Sequence, residues 1–117
     1  DRGRYLEILG RCDVVASTAR HEFFGVAFAE AMAAGCTPLA PDRLNYPALL
    51  SNYDDGEAQA GTFLDTPDLA DRLTALARAP EPLRAPARRE GARAAVMPFD
   101  ADSAAMALDR LIDDLAR

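Results

Sequence analysis

Two glutamates and a glycine around one helix start are the residues of this sequence best suited to chemistry. Glu22, Gly25 and Glu30 lie in the run Ser17-Thr18-Ala19-Arg20-His21-Glu22-Phe23-Phe24-Gly25-Val26-Ala27-Phe28-Ala29-Glu30. A helix start presents unpaired N–H groups and the positive end of the helix dipole. Gly25 has no Cβ, so a ligand can approach the backbone there closely. That makes a diphosphate site that needs no basic side chain. Glu22 precedes the helix start, and Glu30 lies about 7.5 Å beyond Gly25 along the axis at the standard rise per residue. An ionised carboxylate only accepts hydrogen bonds, and charge-assisted bonds are the stronger kind, so such acids suit diols. A ligand with a sugar, a diphosphate and a ribose in line would fit this layout, with one acid on the sugar hydroxyls and the other on the ribose.

Each residue also has a plainer reading. Glu30 suits a helix surface, because Glu is a good helix former. Glu22 could simply complement the dipole. Phe23, Phe24, Phe28 and Met32 have the spacing of core residues. His21 could pack or cap in its loop instead of serving a site. The set is harder to dismiss than its members.

The elements that must position these residues alternate between strand and helix. Arg2–Arg11 reads as a helix with Tyr5, Ile8 and Leu9 on one stripe. Asp13–Ser17 is a short apolar run suited to a buried parallel strand. A loop over Thr18–Phe24 leads into a helix over Gly25–Ala34, with Gly35 as its stop. Thr37–Ala40 reads as a second strand ended by Pro41. Tyr46–Leu50 reads as one helical turn and Ala60–Leu64 as a third strand. Thr66 is expected to cap a helix that runs to about Ala79, with Leu69, Leu73 and Leu76 as its buried stripe. Further helices are expected over Pro86–Val96 and from about Asp102 to Ala116. The implied fold is α/β, a Rossmann-like parallel sheet flanked by helices, with a helical C-terminal extension. Ligands of such sheets bind beyond the carboxyl ends of the strands, where the Ser17–Phe24 loop lies.

Bulk properties narrow the field. The chain has 117 residues, half of them hydrophobic, which suits one domain with one core. Net charge is −6, a poor balance for a stand-alone nucleic-acid binder but no bar to holding one anionic ligand. Acids gather at Asp54–Glu57 and along the final helix, as on a solvated surface. Cys12 and Cys36 have no metal-ligand spacing and read as two buried, reduced thiols. No apolar stretch is long enough to span a membrane, and no signal-peptide pattern opens the chain. A cytoplasmic location is the simplest reading. The chain starts at Asp1 without a methionine and reads as an excised piece. Asp100-Ala101-Asp102 has the spelling of a metal site but precedes a helix, where Asp caps. No metal is expected.

Glu22 to Glu30 is an E-x7-E arrangement, and its surroundings are as specific as its spacing. It follows a strand Asp13-Val14-Val15 and leads into Glu30-Ala31-Met32-Ala33-Ala34-Gly35-Cys36-Thr37-Pro38. This resembles the retaining group 1 glycosyltransferases of GT-B fold, over nearly the whole chain. His21-Glu22-Phe23-Phe24-Gly25-Val26-Ala27, Gly35-Cys36-Thr37-Pro38-Leu39 and Tyr46-Pro47 are more narrowly similar to the tRNA-queuosine mannosyltransferase branch.

The resemblance implies that residues 1–117 are part of a nucleotide-sugar-binding domain, the C-terminal half of a GT-B fold. It implies GDP-mannose as donor, queuosine of a tRNA as acceptor, retention, and no obligatory metal or other cofactor. Glu22 would contact the donor sugar, with His21 beside it. Phe24, Gly25, Val26, Ala27 and Glu30 would bind the nucleotide part, the amides around Gly25, Val26 and Ala27 cradling the diphosphate and Glu30 holding the ribose. The basic phosphate clamp and the protein's own N-terminal acceptor domain would lie outside this chain, so the piece alone is expected to be inactive. One position departs from the family: many members place a Glu where Ala48 stands. Other readings remain: a nucleotide-sugar epimerase or phosphorylase on the same fold, or a non-catalytic nucleotide-binding or interaction module.

Overall fold

Two prolines sit in the most buried strand of the sheet, and the hydrogen-bond ladder explains how they are accommodated. A computed structural model of the chain describes residues 1–20, 26–53, 60–99 and 112–113. Its strands are β1 (Val14–Ala16), β2 (Thr37–Pro41) and β3 (Gly61–Phe63), all parallel, in the order β1-β2-β3. Every residue of β2 is buried. The N–H of Thr37 bonds to Asp13 and the carbonyl of Leu39 accepts from Ser17, so odd positions of β2 face β1. Even positions face β3, as the bond from Asp42 N–H to Phe63 shows. Pro38 therefore points to the β3 side before β3 begins at the Leu39–Gly61 pair. Pro41 points to the β1 side after β1 has ended at the Ala16–Leu39 pair. Neither proline sits where the ladder needs a donor, so Pro41 closes β2 from within and the strand does not stop at Ala40.

Side chains of β2 alternate between two apolar layers, as the strand period demands. Ala40 joins Phe28, Met32, Tyr46, Leu49, Leu50, Ala95 and Val96 on one face. Leu39 joins Phe63, Leu69, Leu76 and Leu83 on the other. The first layer belongs to α2 (Val26–Ala33), α3 (Tyr46–Leu49) and α5 (Pro86–Val96). The second belongs to α4 (Thr66–Arg78) and the 3-10 helix Glu81–Arg84. Helices thus cover both faces of a parallel sheet, the Rossmann-like arrangement that the strand–helix alternation implies.

Helix ends follow local chemistry. α2 closes with the N–H of Cys36 on the Ala31 carbonyl and that of Gly35 on Met32, a Schellman motif. Gly35 takes φ +106°, which only glycine adopts without strain. Arg89, from α5, donates to the carbonyls of Ala34, Gly10 and Cys12 at 2.9, 3.0 and 3.3 Å. One guanidinium so ties the carbonyl ends of α1 (Arg2–Arg11) and α2 together. α4 is capped by Asp65 and not by Thr66. The Asp65 carboxylate accepts the N–H of Asp68 while the Asp68 carboxylate accepts that of Leu64, each at 2.8 Å. This is a reciprocal cap built from two aspartates.

Two apolar stripes are less buried than their periodicity suggests. Leu69 and Leu76 are covered, but Leu73 is 37% exposed. No residue of α1 is buried, and Ile8 is 51% exposed. Cys36 is buried and Cys12 only half so; both are free thiols. Ile112 and Asp113 are helical and exposed. The remainder of the helix expected over 102–116, the acidic run at 54–57 and the Asp100–Asp102 pair lie outside the described residues.

Candidate donor-binding site

β1 and β2 both point their carboxyl ends at the same edge of the sheet, and the segments that leave them meet there. After β1 the chain runs through Ser17, Thr18, Ala19 and Arg20. After β2 it runs through Asp42, Arg43, Leu44 and Asn45 into α3. This is the edge at which ligands of open parallel sheets bind.

α2 begins at Val26. Val26 and Ala27 are its first described residues. Ala27 is exposed. Phe28 and Met32 are core, 5% and 0% exposed, which settles their reading in favour of packing. Of the remaining sequence candidates, His21, Glu22, Phe24 and Gly25 lie outside the described residues, as does Phe23.

Glu30 stands on α2. Its side chain is 26% exposed, and Arg2 lies 3.4 Å from its Oε2. Glu30 is therefore neither a core residue nor a freely solvated one. The Arg2 side chain is far more exposed, and the contact is long, so the pair holds the carboxylate only weakly. Ala48, the position that departs from the family pattern, is exposed on α3.

Three residues at this edge, Ser17, Arg43 and Tyr46, were given no site role from the sequence. The Tyr46 hydroxyl lies 2.8 Å from Ser17 Oγ, and that oxygen accepts the N–H of Ala19 at 3.2 Å. Arg43 donates to the Ala19 carbonyl from Nε at 3.3 Å and from Nη2 at 3.2 Å. The Ser17-x-Ala19 turn is legible as a hydroxyl–backbone motif. The Arg43 and Tyr46 contacts carry no local signal, since their partners lie 24 and 29 residues away.

The thiols are placed for structure. Cys36 donates to the carbonyls of Cys12 and Leu9 at 3.4 and 3.7 Å. Burial, helped by the neighbouring Cys12, pushes the Cys36 thiol up to about 11, far from a nucleophile's range. Among the described residues no group of three His, Cys, Asp or Glu is placed to hold a metal ion. None of the described helices is long and apolar enough to cross a membrane.

Residues 1–94 match the family described as glycosyl transferases group 1. The chain belongs to that family. Membership agrees with the strand–loop–helix edge just described and with the resemblance carried by Glu22 and Glu30. Over 49 residues, 42% of this chain, the sequence is 53% identical to the tRNA-queuosine alpha-mannosyltransferase of Drosophila melanogaster. That segment spans only 13% of the fly protein's length. No solved structure matches the chain significantly.

Proposed function

We propose that this chain is the donor-binding part of a retaining glycosyltransferase that moves mannose from GDP-mannose to the queuosine of a tRNA. The observation that carries the reading is the position of Glu30. It stands part-exposed on the helix that follows β1 in the chain, in a chain of the group 1 family. The name of the fly relative supports mannose and queuosine.

In this reading the amides at Gly25, Val26 and Ala27 hold the diphosphate. Phe24 joins them on the nucleotide part, Glu30 turns from Arg2 to the ribose diol, and Glu22 and His21 meet the sugar. In the transfer, the bond between the anomeric carbon and the diphosphate oxygen breaks. A new bond forms to an acceptor hydroxyl, whose proton is released. Negative charge grows on the departing diphosphate, and preorganised amides at the helix start stabilise it without reorganising. No metal is required for that role, and no other cofactor. An N-terminal domain of the same protein binds the acceptor and supplies the remaining groups, so residues 1–117 alone have no turnover. A cytoplasmic location follows from a tRNA acceptor.

The test is a calorimetric titration of the intact protein with GDP, UDP and ADP, repeated on Glu30→Gln. GDP should bind most tightly, and the variant should bind it about tenfold or more weakly, as expected when a charge-assisted bond is lost. Unchanged affinity in Glu30→Gln would remove the ribose role. Product analysis separates transfer from the epimerase and phosphorylase readings, because only transfer releases GDP in step with a mannosylated acceptor.

A further inference from the structure

We propose that Arg43 and Tyr46 are positioning residues of the donor site. From the carboxyl end of β2 they tie Ser17 and Ala19, in the segment that leaves β1, to the core beside α2, the helix that carries Glu30. The proposal rests on the donor-site reading above and adds to it the parts that set the loop.

Ala19 is secured at both of its backbone polar groups. Its N–H goes to Ser17 Oγ, which in turn meets the Tyr46 hydroxyl at 2.8 Å. Its carbonyl takes two N–H donors from Arg43. Only Arg20 then separates this fixed point from His21 in the chain. Loop segments ordinarily leave such groups to water, and a loop that must present side chains to a ligand gains from having them fixed.

Tyr46 touches α2 as well. It is buried, and its ring stands edge-on to Phe28, with centroids 5.2 Å apart and planes at 62°. Phe28 lies on α2, the helix into which the loop runs. One side chain thus fixes both where the loop begins and the helix that follows it.

The segment carrying these two residues is itself held under strain. Leu44, between them, adopts φ +58°, a left-handed conformation that a branched side chain disfavours. The buried Asn45 Oδ1 has no hydrogen-bond partner among the described residues. Strain of this sort persists only where the surroundings over-determine it, and it gathers at ligand sites. Here the outcome is that Arg43 and Tyr46 face back towards the neighbouring loop.

The test uses the intact protein, with GDP as the probe. Tyr46→Phe removes the hydroxyl and keeps the ring; Arg43→Ala removes both donors; Arg43→Lys keeps one. Tyr46→Phe and Arg43→Ala should each weaken GDP binding about two- to tenfold, the effect of losing a hydrogen bond or two. Each should lower kcat/KM for the donor at least as much, with melting temperatures near that of the starting protein, and Arg43→Lys should recover part of the loss. If Tyr46→Phe does not fold, Ser17→Ala removes the same bond from the other side. The positioning role is overturned if these variants keep full GDP affinity and kcat/KM while Glu30→Gln loses affinity. A fall in melting temperature alone overturns it too, since that marks a purely structural tie. If Glu30→Gln keeps full affinity, the donor-site reading itself has failed.

Discussion

Arg89 lies so close to Gly35 that a Cβ on residue 35 would come within 2.9 Å of its Nε. The contact and the positive φ of Gly35 act together, because the same turn ends α2 and passes beneath the guanidinium that caps it. Gly35→Ala should therefore destabilise the fold by about 1–3 kcal/mol from the backbone alone, with the clash added to it. Arg89→Lys should also destabilise, since an ammonium at the end of a flexible stem lacks the wide planar fork whose two amino groups reach the three separate carbonyls. Urea unfolding of both variants measures this; an unchanged midpoint for Gly35→Ala would contradict it.

Asp68 gives α4 a pH dependence of known sign. The Leu64 N–H, followed by Arg72, holds its carboxyl below the usual value of 3.8. A depressed folded-state value means that stability is fully present above the unfolded value and is lost as pH falls through the lower, folded one. Melting curves taken downward from about pH 5 should thus fall more steeply for the natural sequence than for Asp68→Asn, whose own stability at neutral pH should be lower.

The two thiols should differ sharply in reactivity. With its thiol near 11, Cys36 has only about one thiolate in a thousand at pH 8, and its sulfur is buried besides. Iodoacetamide on the folded protein should label Cys12 and spare Cys36, with both labelled in denaturant. Mass spectrometry of the two peptides reads the ratio.

Met32 is fully buried between the sheet and the neighbouring helices. Met32→Ala should cost about 2–5 kcal/mol through lost burial and the cavity left behind. Since α2 also carries Glu30, the variant should bind nucleotide less tightly near its melting point and almost normally well below it. Chemical unfolding and calorimetry at two temperatures check both halves.

How much of this was legible in the sequence depended on whether the signal was local. The bounds of α1 and α5 follow from periodicity and from Pro86, and they agree with the structure. The stop at Gly35 follows from its residue type. Thr66 and Asp65 both have cap chemistry, and only the reciprocal bond with Asp68 decides between them. Periodicity shows which face of α1 and α4 is apolar but not what covers it, hence the exposure of Ile8 and Leu73. At the candidate site, Glu30 was legible from its spacing to Glu22. Its Arg2 partner was not, and neither was the hold of Arg43 on Ala19, because pairing across 28 or 24 residues leaves no trace in composition.

The prolines of β2 also act as keys for alignment. Sliding β2 by a single position against β1 would turn Pro38 toward Asp13–Val15, where an amide hydrogen is required, and would exchange the two apolar layers at a stroke. The misaligned sheet would lack a rung and expose its core face, so a folding chain that pairs these strands wrongly has little to hold it there.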